Sequence, residues 1–585
     1  MKKLGLKTLL AAMIASLVFV AACNSGTGSS TGSPSSSPSG GQPGESGGAN
    51  VGAKEEYVIK MLTQSPNAVK RSDESAIGKI IKEKFNIVFE YVQSPGNMTD
   101  KLNLMLAGGD YPEIVAIQDN QTFDKYARSG ALLPLDDFVK AAPEFKERYK
   151  VQIPLWKMGG PDGKLYKWES FVPIDFENNV EVSDIGVRID TLKEQGWPNL
   201  LSTDDYIRFL KQALQDHPTT NGQKTIGMVV PFAEPWGMQG IATAMYEKGG
   251  RYSTAAGNMG VLWKHVDQKF EDTMTNEYVK ESLAFFNKLY REGILDKDSF
   301  TDKMDQVQEK LNSGRALSVW YTTWGLLGAS KGLIEAGNPE LQYINMPIRS
   351  MTQVERNEKR QIRVEDSRSS SIYAITKNAK HPERILELLG WAATEEGRIL
   401  LQSGIEGEHY TIVDGKRVPT ESFKKMLTDA EVQKSSGLGM PGIGQFDFLG
   451  YVYTNAPDGV PYSMYLDPKT QDELQLTAEM RDAYAQLGWK NSKDYFLRTG
   501  EAAYTGISAT IAIDSTSELG ALHQRMVDFR VKNSAKLIVE PKSDEEFESL
   551  YQTVIEEYAK LNPQSVVDEY NRLYQEKQAQ LAQLK

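Results

Sequence analysis

With one cysteine in 585 residues, the chain cannot form an internal disulfide, so stability must come from core size. The five histidines (His217, His265, His381, His409 and His523) are scattered, which argues against a zinc site built on close His pairs. Positive charge is in deficit. The 66 Lys plus Arg against 78 Asp plus Glu give a net charge of −12, which speaks against nucleic acid, whose binders cluster positive charge. The phosphate-cradling pattern G-x-x-x-x-G-K-[ST] and the zinc pattern H-E-x-x-H are both absent. Gly44-Glu-Ser46-Gly-Gly48 has the spacing of a nucleophile elbow, but it sits in a Ser/Gly stretch with no strand or helix to hold a strained serine. Gly437-Leu-Gly439-Met-Pro-Gly442 has dinucleotide-loop spacing, but no apolar strand precedes it, and Pro441 stands where a helix should start.

What is present begins with Met1–Asn50. Lys2, Lys3 and Lys7 precede an apolar run, Leu9 to Ala22, which is shorter than the roughly 20 residues that span a bilayer. A basic start, a short apolar run and small residues at the cut describe an exported precursor. Val20-Ala21-Ala22-Cys23 resembles the bacterial lipobox, in which the cysteine takes a diacylglycerol and becomes the new N-terminus. Two acyl chains at about 0.8 kcal/mol per buried CH₂ would hold the protein at the extracellular face of the cell membrane. Residues 24–50 are almost wholly Ser, Gly, Thr and Pro, and segments of that composition stay flexible. Their typical end-to-end reach is about 30 Å.

Beyond the tether, strand-like Tyr57–Leu62, Asn86–Val92 and Glu113–Ile117 alternate with helical 73–84, 99–107 and 121–128, a pattern that predicts parallel βαβ units. Gly108-Gly109 caps the helix before the third strand, and Pro112 blocks its continuation. A second α/β unit is expected from 190 to 347, with strands at 225–230 and 314–320, before the chain returns through a strand at 371–376. Two C-terminal helices, 544–561 and 564–584, are separated by Pro563.

Leu104-Met-Leu-Ala-Gly-Gly-Asp110-Tyr-Pro-Glu-Ile-Val115 resembles the signature of family 1 extracellular solute-binding proteins of ABC importers. Leu132-Leu-Pro-Leu-Asp136, Pro161-Asp-Gly-Lys-Leu-Tyr166 (with Lys167 for the usual Gly), Val187–Gly196 and Leu201–Tyr206 resemble further family segments. Gly404-Ile-Glu-Gly-Glu-His-Tyr410 and Val413-Asp-Gly-Lys416 resemble the LplA-like oligosaccharide-binding subgroup. The resemblance implies an α/β, two-lobed, type II periplasmic-binding-protein-like fold with an interlobe cleft. It also implies a carbohydrate ligand and delivery to ABC permease transmembrane subunits, by a monomer without covalent chemistry. That subgroup often holds Ca²⁺ in an EF-hand-like loop. Here His217, Thr219 and Thr225 stand where carboxylates would be needed, so no metal is expected in 217–225, and no cofactor elsewhere.

The expected organisation is a signal peptide at 1–22 and a tether at 23–53. Lobe 1 is expected from 54–180 plus 365–430, and lobe 2 from 181–364 plus 431–585, including the C-terminal helices. Trp320, Tyr321 and Trp324 end a predicted strand, where open α/β sheets bind ligands, and tryptophan faces stack on sugar C–H faces. Trp236 and Trp168 are further aromatic candidates, each with a core role as its alternative. Gln64, Asn67, Asp119 and Asn120 follow strands and could bond sugar hydroxyls, or equally cap helices. Arg188 and Arg368 could meet an acidic sugar such as a uronate, or pair with surface carboxylates. The rival readings are a cell-surface glycan hydrolase or esterase, which would need a positioned acid/base pair, and a lipoprotein that senses or assembles without transport.

Overall fold

Nine strands build two sheets: β1 Tyr57–Thr63, β2 Ile87–Gln93, β3 Ile114–Ile117, β4 Trp168–Glu169, β5 Ile185–Arg188, β6 Ile226–Val229, β7 Ala316–Trp320, β8 Tyr343–Met346 and β9 Ile372–Ile375. The computed structural model describes residues 55–63, 68–93, 98–172, 185–234, 236–243, 252–255, 258–320, 324–364, 371–438, 444–452, 454–514 and 516–584. Lys54–Lys585 forms one unit, separate from Met1–Ala53.

The first sheet runs β2-β1-β3-β9-β4. β1 is parallel to β2 and β3, while β9 is antiparallel to β3 and β4. All four residues of β3 and all four of β9 are buried, the continuous apolar pattern of strands covered on both faces. The second sheet runs β8-β5-β7-β6, with β6 parallel to β7 and β5 antiparallel to both its neighbours. The alternation of strands and helices is therefore as expected. One antiparallel strand enters each sheet where the chain crosses between halves.

Each sheet has its own principal core. Ile59, Phe89, Trp168, Tyr373 and Leu389 belong to the first; Val187, Tyr206, Phe286, Trp320 and Leu537 belong to the second. After β9 the chain stays with the first core further than the sequence suggested. Leu438, Phe446, Phe448, Leu449 and Met464 all pack there, so the stretch after 430 does not pass at once to lobe 2. The reason is aromatic packing: Phe448 lies edge-on to Phe89 at 4.8 Å and 6.0 Å from Tyr373. From Met480 onward most of the buried apolar residues join the second core, Phe496 and Ala503 excepted.

The C-terminal part of that core contains a 22-residue helix, Glu518–Val539, as well as Asp544–Ala559 and Gln564–Leu584. The Gln564–Leu584 helix packs on a short helix, Gln152–Met158, whose sides divide between the halves. Leu155 and Met158 belong to the second core, and Trp156 to the first.

Candidate functional site

The carboxyl ends of β1–β4 and the amino end of β9 share one edge of the first sheet, since Ile372 pairs with both Ile117 and Glu169. In the second sheet the carboxyl ends of β6, β7 and β8 share an edge with the amino end of β5, because Ile185 pairs with both Trp320 and Met346. Open α/β sheets place ligands at such edges.

On the first sheet, Asp119 follows β3 and caps the Asn120–Arg128 helix. Its Oδ1 accepts from Thr122 N at 2.7 Å, and its Oδ2 accepts from Thr122 Oγ1 at 2.8 Å and Thr99 Oγ1 at 3.4 Å. The carboxylate is thus committed to the helix start. Asn120 is the half-buried first residue of that helix. β4 alternates: Trp168 points into the first core, while Lys167 and Glu169 lie on the other face. Lys167 Nζ is 2.7 Å from Glu169 Oε1, both side chains are buried, and the ammonium lies 5.2 Å from the Phe123 ring.

Lys577, on the C-terminal helix of the second half, approaches this group. Its Nζ donates to Thr510 O at 3.0 Å. Burial, reinforced by the Lys167 charge, pushes its ammonium down to about 8, while Asp124 acts in the opposite direction. A second electrostatic link joins the 120–128 helix to the segment before the Glu518–Val539 helix: the Asp514 charge acts on Arg128, and the Arg128 charge on Asp514. Lys167, paired with Glu169, and Asp124 therefore lie within electrostatic reach of Lys577 on the C-terminal helix. Sequence reading singled out none of them as site residues. The one signal was Lys167 in place of the family's glycine; Lys577 is hidden in an ordinary amphipathic helix.

Several expected site residues are structural. Trp320 is fully buried, 4.8 Å from Phe285, 5.8 Å from Phe286 and 6.0 Å from Tyr206. The all-buried β7 turns it into the core instead of toward a ligand. Trp168 is likewise fully buried, and its Nε1 donates to Phe448 O at 2.5 Å. Arg188 is 1% exposed and each of its nitrogens is engaged: Nε and Nη2 donate to Asp190 at 2.9 and 2.5 Å, and Nη1 to Gly314 O at 2.6 Å and Thr220 Oγ1 at 3.3 Å. Four of its five N–H donors are spent inside the fold and the group is buried, so it is not presented to a uronate.

Trp236 keeps the expected place beyond β6, half-buried against the second core at the start of the Gly237–Gly240 helix. Trp324 opens the Trp324–Glu335 helix just past β7. Cys23, Gln64, Asn67, Tyr321 and Arg368 lie outside the described residues.

The 217–225 segment folds as a two-residue hairpin, Thr219–Thr220 with Gln223–Lys224, turned by Asn221 and Gly222 at φ 51° and 76°. His217 Nε2 sits 2.5 Å from Glu194 Oε2; with Asp190, these residues bring one donor atom each within 4.8 Å of one another. Asp190 is already held by Arg188. The expected Asp162-Gly163 hairpin is a tight turn without flanking strands, in which Asp162 accepts from Lys164 N at 3.2 Å and Tyr166 Oη at 3.1 Å.

Among the described residues no helix is long and apolar enough to cross a membrane. The chain is similar to Lipoprotein LipO of Bacillus subtilis (strain 168), 24% identical over 340 residues, which cover 56% of this chain and 62% of that one. It is also similar to the polygalacturonan/rhamnogalacturonan-binding protein YtcQ of the same organism, 24% identical over 350 residues, 58% of this chain and 64% of the relative. The matches thus span a little under two thirds of each relative. Among solved structures, a solute-binding protein from Bifidobacterium longum infantis named as binding HMO superposes with a TM-score of 0.60 at 15% identity, covering 89% of this chain and 99% of that one. The Streptococcus pneumoniae substrate-binding protein FusA with kestose gives 0.59 at 16%, with the same coverage. Alginate-binding AlgQ2 gives 0.57 at 16%, again with that coverage. These likenesses establish the two-lobed type II solute-binding fold, and the three matched structures are each named as binding proteins. The model for bacterial extracellular solute-binding proteins matches residues 70–179 and 211–399, a little over half of the chain, and the chain belongs to that family.

Proposed function

We propose that the protein is the membrane-anchored substrate-binding component of an ABC importer. It captures an oligosaccharide between its two halves and delivers it unchanged to the permease transmembrane subunits. Cys23 carries the lipid, and the protein works as a monomer at the extracellular face. The observation that supports this reading is the pair of α/β sheets, each with the carboxyl ends of its parallel strands along one edge, together with Lys577 of the second half lying within electrostatic reach of Lys167 of the first. Trp324 and Trp236, just beyond β7 and β6, supply the faces on which sugar rings stack. Ligand contact with both halves favours the closed state by its differential affinity.

The Lys577 ammonium, held by one carbonyl and half-buried, favours a ligand carrying carboxylates, that is, an oligosaccharide containing uronate. The name of the relative YtcQ points the same way. The test is a thermal-shift panel of neutral oligosaccharides and oligogalacturonates. A ligand at 100 times its dissociation constant adds about 2.7 kcal/mol of stability, and the acidic sugars should give the larger shifts. Neutral glycans alone raising the midpoint would remove the uronate reading. Turnover of the glycan without saturable binding would remove the binding function itself.

A further inference from the structure

Two arginines in the first half lie within electrostatic reach of each other, and neither forms an ion pair among the described residues. Arg148 ends the Pro143–Arg148 helix, with its guanidinium 5.2 Å from the centroid of the Tyr149 ring. Arg398, in the Glu395–Ser403 helix, lies 4.5 Å from the centroid of Tyr462. Their elements converge on Gly450. Tyr149 Oη fills the space that a Cβ would need there, and Gln402 Nε2, one turn after Arg398, donates to Gly450 O at 3.4 Å. A side chain at 450 would push these elements apart.

Both guanidiniums are half-buried. Arg398 Nε donates to Thr394 O at 3.1 Å, while Arg148 Nη2 is buried with no hydrogen-bond partner among the described residues. Burial, then the Arg148 charge, lowers the basicity of Arg398; the Glu395 charge acts in the opposite direction without bonding to it. Some arginines of this fold hold carboxylates directly, as Arg71 does Asp73, Arg188 Asp190, Arg417 Asp458 and Arg572 Glu569, and others spend their donors on carbonyl oxygens, as Arg349 and Arg384 do. Among the described residues, Arg148 and Arg398 have no such ion pair. In a chain of net charge −12, two partly desolvated cations on elements that converge on Gly450, neither with an ion-paired acid, have the form of an anion site.

We propose that Arg148 and Arg398 form an oxyanion-binding subsite that takes a phosphate group, either as free phosphate or in a lipid headgroup. Planar guanidinium forks present paired N–H donors that suit phosphate oxygens, and two of them match a doubly charged group. Tyr149 and Tyr462 hold the forks in place from below.

The test uses the full chain carrying Cys23→Ser, so that no acyl chain contributes, together with Arg148→Gln, Arg398→Gln and Arg148→Lys forms. Inorganic phosphate is titrated by calorimetry, and cosedimentation is measured with phosphatidylcholine vesicles with and without phosphatidylglycerol. Saturable phosphate binding, weakened at least tenfold in both Gln variants, supports a free-phosphate site. Arg148→Lys should also weaken it while the near-ultraviolet circular dichroism stays native, because the charge remains and the fork is lost. Arginine-dependent binding to phosphatidylglycerol vesicles alone would assign the headgroup as the source. Phosphate binding unchanged in the variants, or no binding to either probe, overturns the proposal. Oligosaccharide affinity is expected to be unaltered throughout, which keeps this outcome distinct from that of the saccharide site.

Discussion

Arg188 and Asp190 form a closed, two-pronged pair, Nε to Oδ1 at 2.9 Å and Nη2 to Oδ2 at 2.5 Å, at the junction of β5 and the helix that follows. The guanidinium also reaches Gly314 O and Thr220 Oγ1, so it ties β5 to the start of β7 and to the 219–224 hairpin. Asp190→Ala would leave a buried cation unpaired. The expected loss is about 3–5 kcal/mol of folding stability, with saccharide affinity unchanged, read from denaturant midpoints and calorimetry. A fall in affinity at full stability would return Arg188 to the ligand site.

Trp320 and Trp324 are four residues apart and should behave oppositely. Trp320→Ala empties a fully buried site among Tyr206, Phe285 and Phe286 and should cost about 3–5 kcal/mol of stability. Trp324→Ala should change stability little and weaken saccharide binding by about tenfold, the scale of one lost aromatic contact. Paired thermal melts and binding isotherms separate the two.

The regular elements could be read from the sequence because periodicity and capping are local. The Ser202–Asp205 capping box, the αL Gly109 and the Asn276 cap of the 277–291 helix all follow from neighbours in the chain. The site was harder, because a strand residue's facing depends on its partners. Trp320 and Trp168 had the right chemistry in the right elements, yet both point into cores. Asp119 and Arg188 looked available to a ligand, but their polar atoms are satisfied within the fold. Lys577 and Lys167 are 410 positions apart, and no local pattern links them; only the packing of the C-terminal helix puts them within electrostatic reach of each other.

Lys577 gives the site a pH dependence. Its folded value, about 8, is below the ordinary 10.5. The native state therefore disfavours the ammonium, and stability should rise as pH climbs from 8 toward 10.5, where the unfolded chain still holds the proton. Affinity for a uronate ligand runs the other way: it should fall as pH rises through 8 and the ammonium is lost. Lys577→Gln should weaken binding and flatten that profile in calorimetric titrations from pH 6.5 to 9.5.

His523 sets a second, acid-side dependence. Burial, with the Arg530 charge added, pushes its imidazole down to about 4 from 6.5. Its ring lies against Gly260, where a Cβ would come within 2.2 Å of Nε2. Between pH 6.5 and 4 the unfolded chain takes a proton that the native state refuses, so stability falls with pH by up to about 1.4 kcal/mol per unit from this group. His523→Gln should remove that part of the slope, measured as the difference between variant and parent denaturation midpoints across the range.

The central claim is that the two halves grip an unaltered, uronate-bearing saccharide between their sheet edges. A crystal structure with a bound oligogalacturonate tests it most directly. An intact sugar between the halves, with Lys577 within hydrogen-bond distance of a carboxylate and Trp324 against a ring face, is the predicted result. A cleaved sugar, or one bound on the outside of either half, would contradict it.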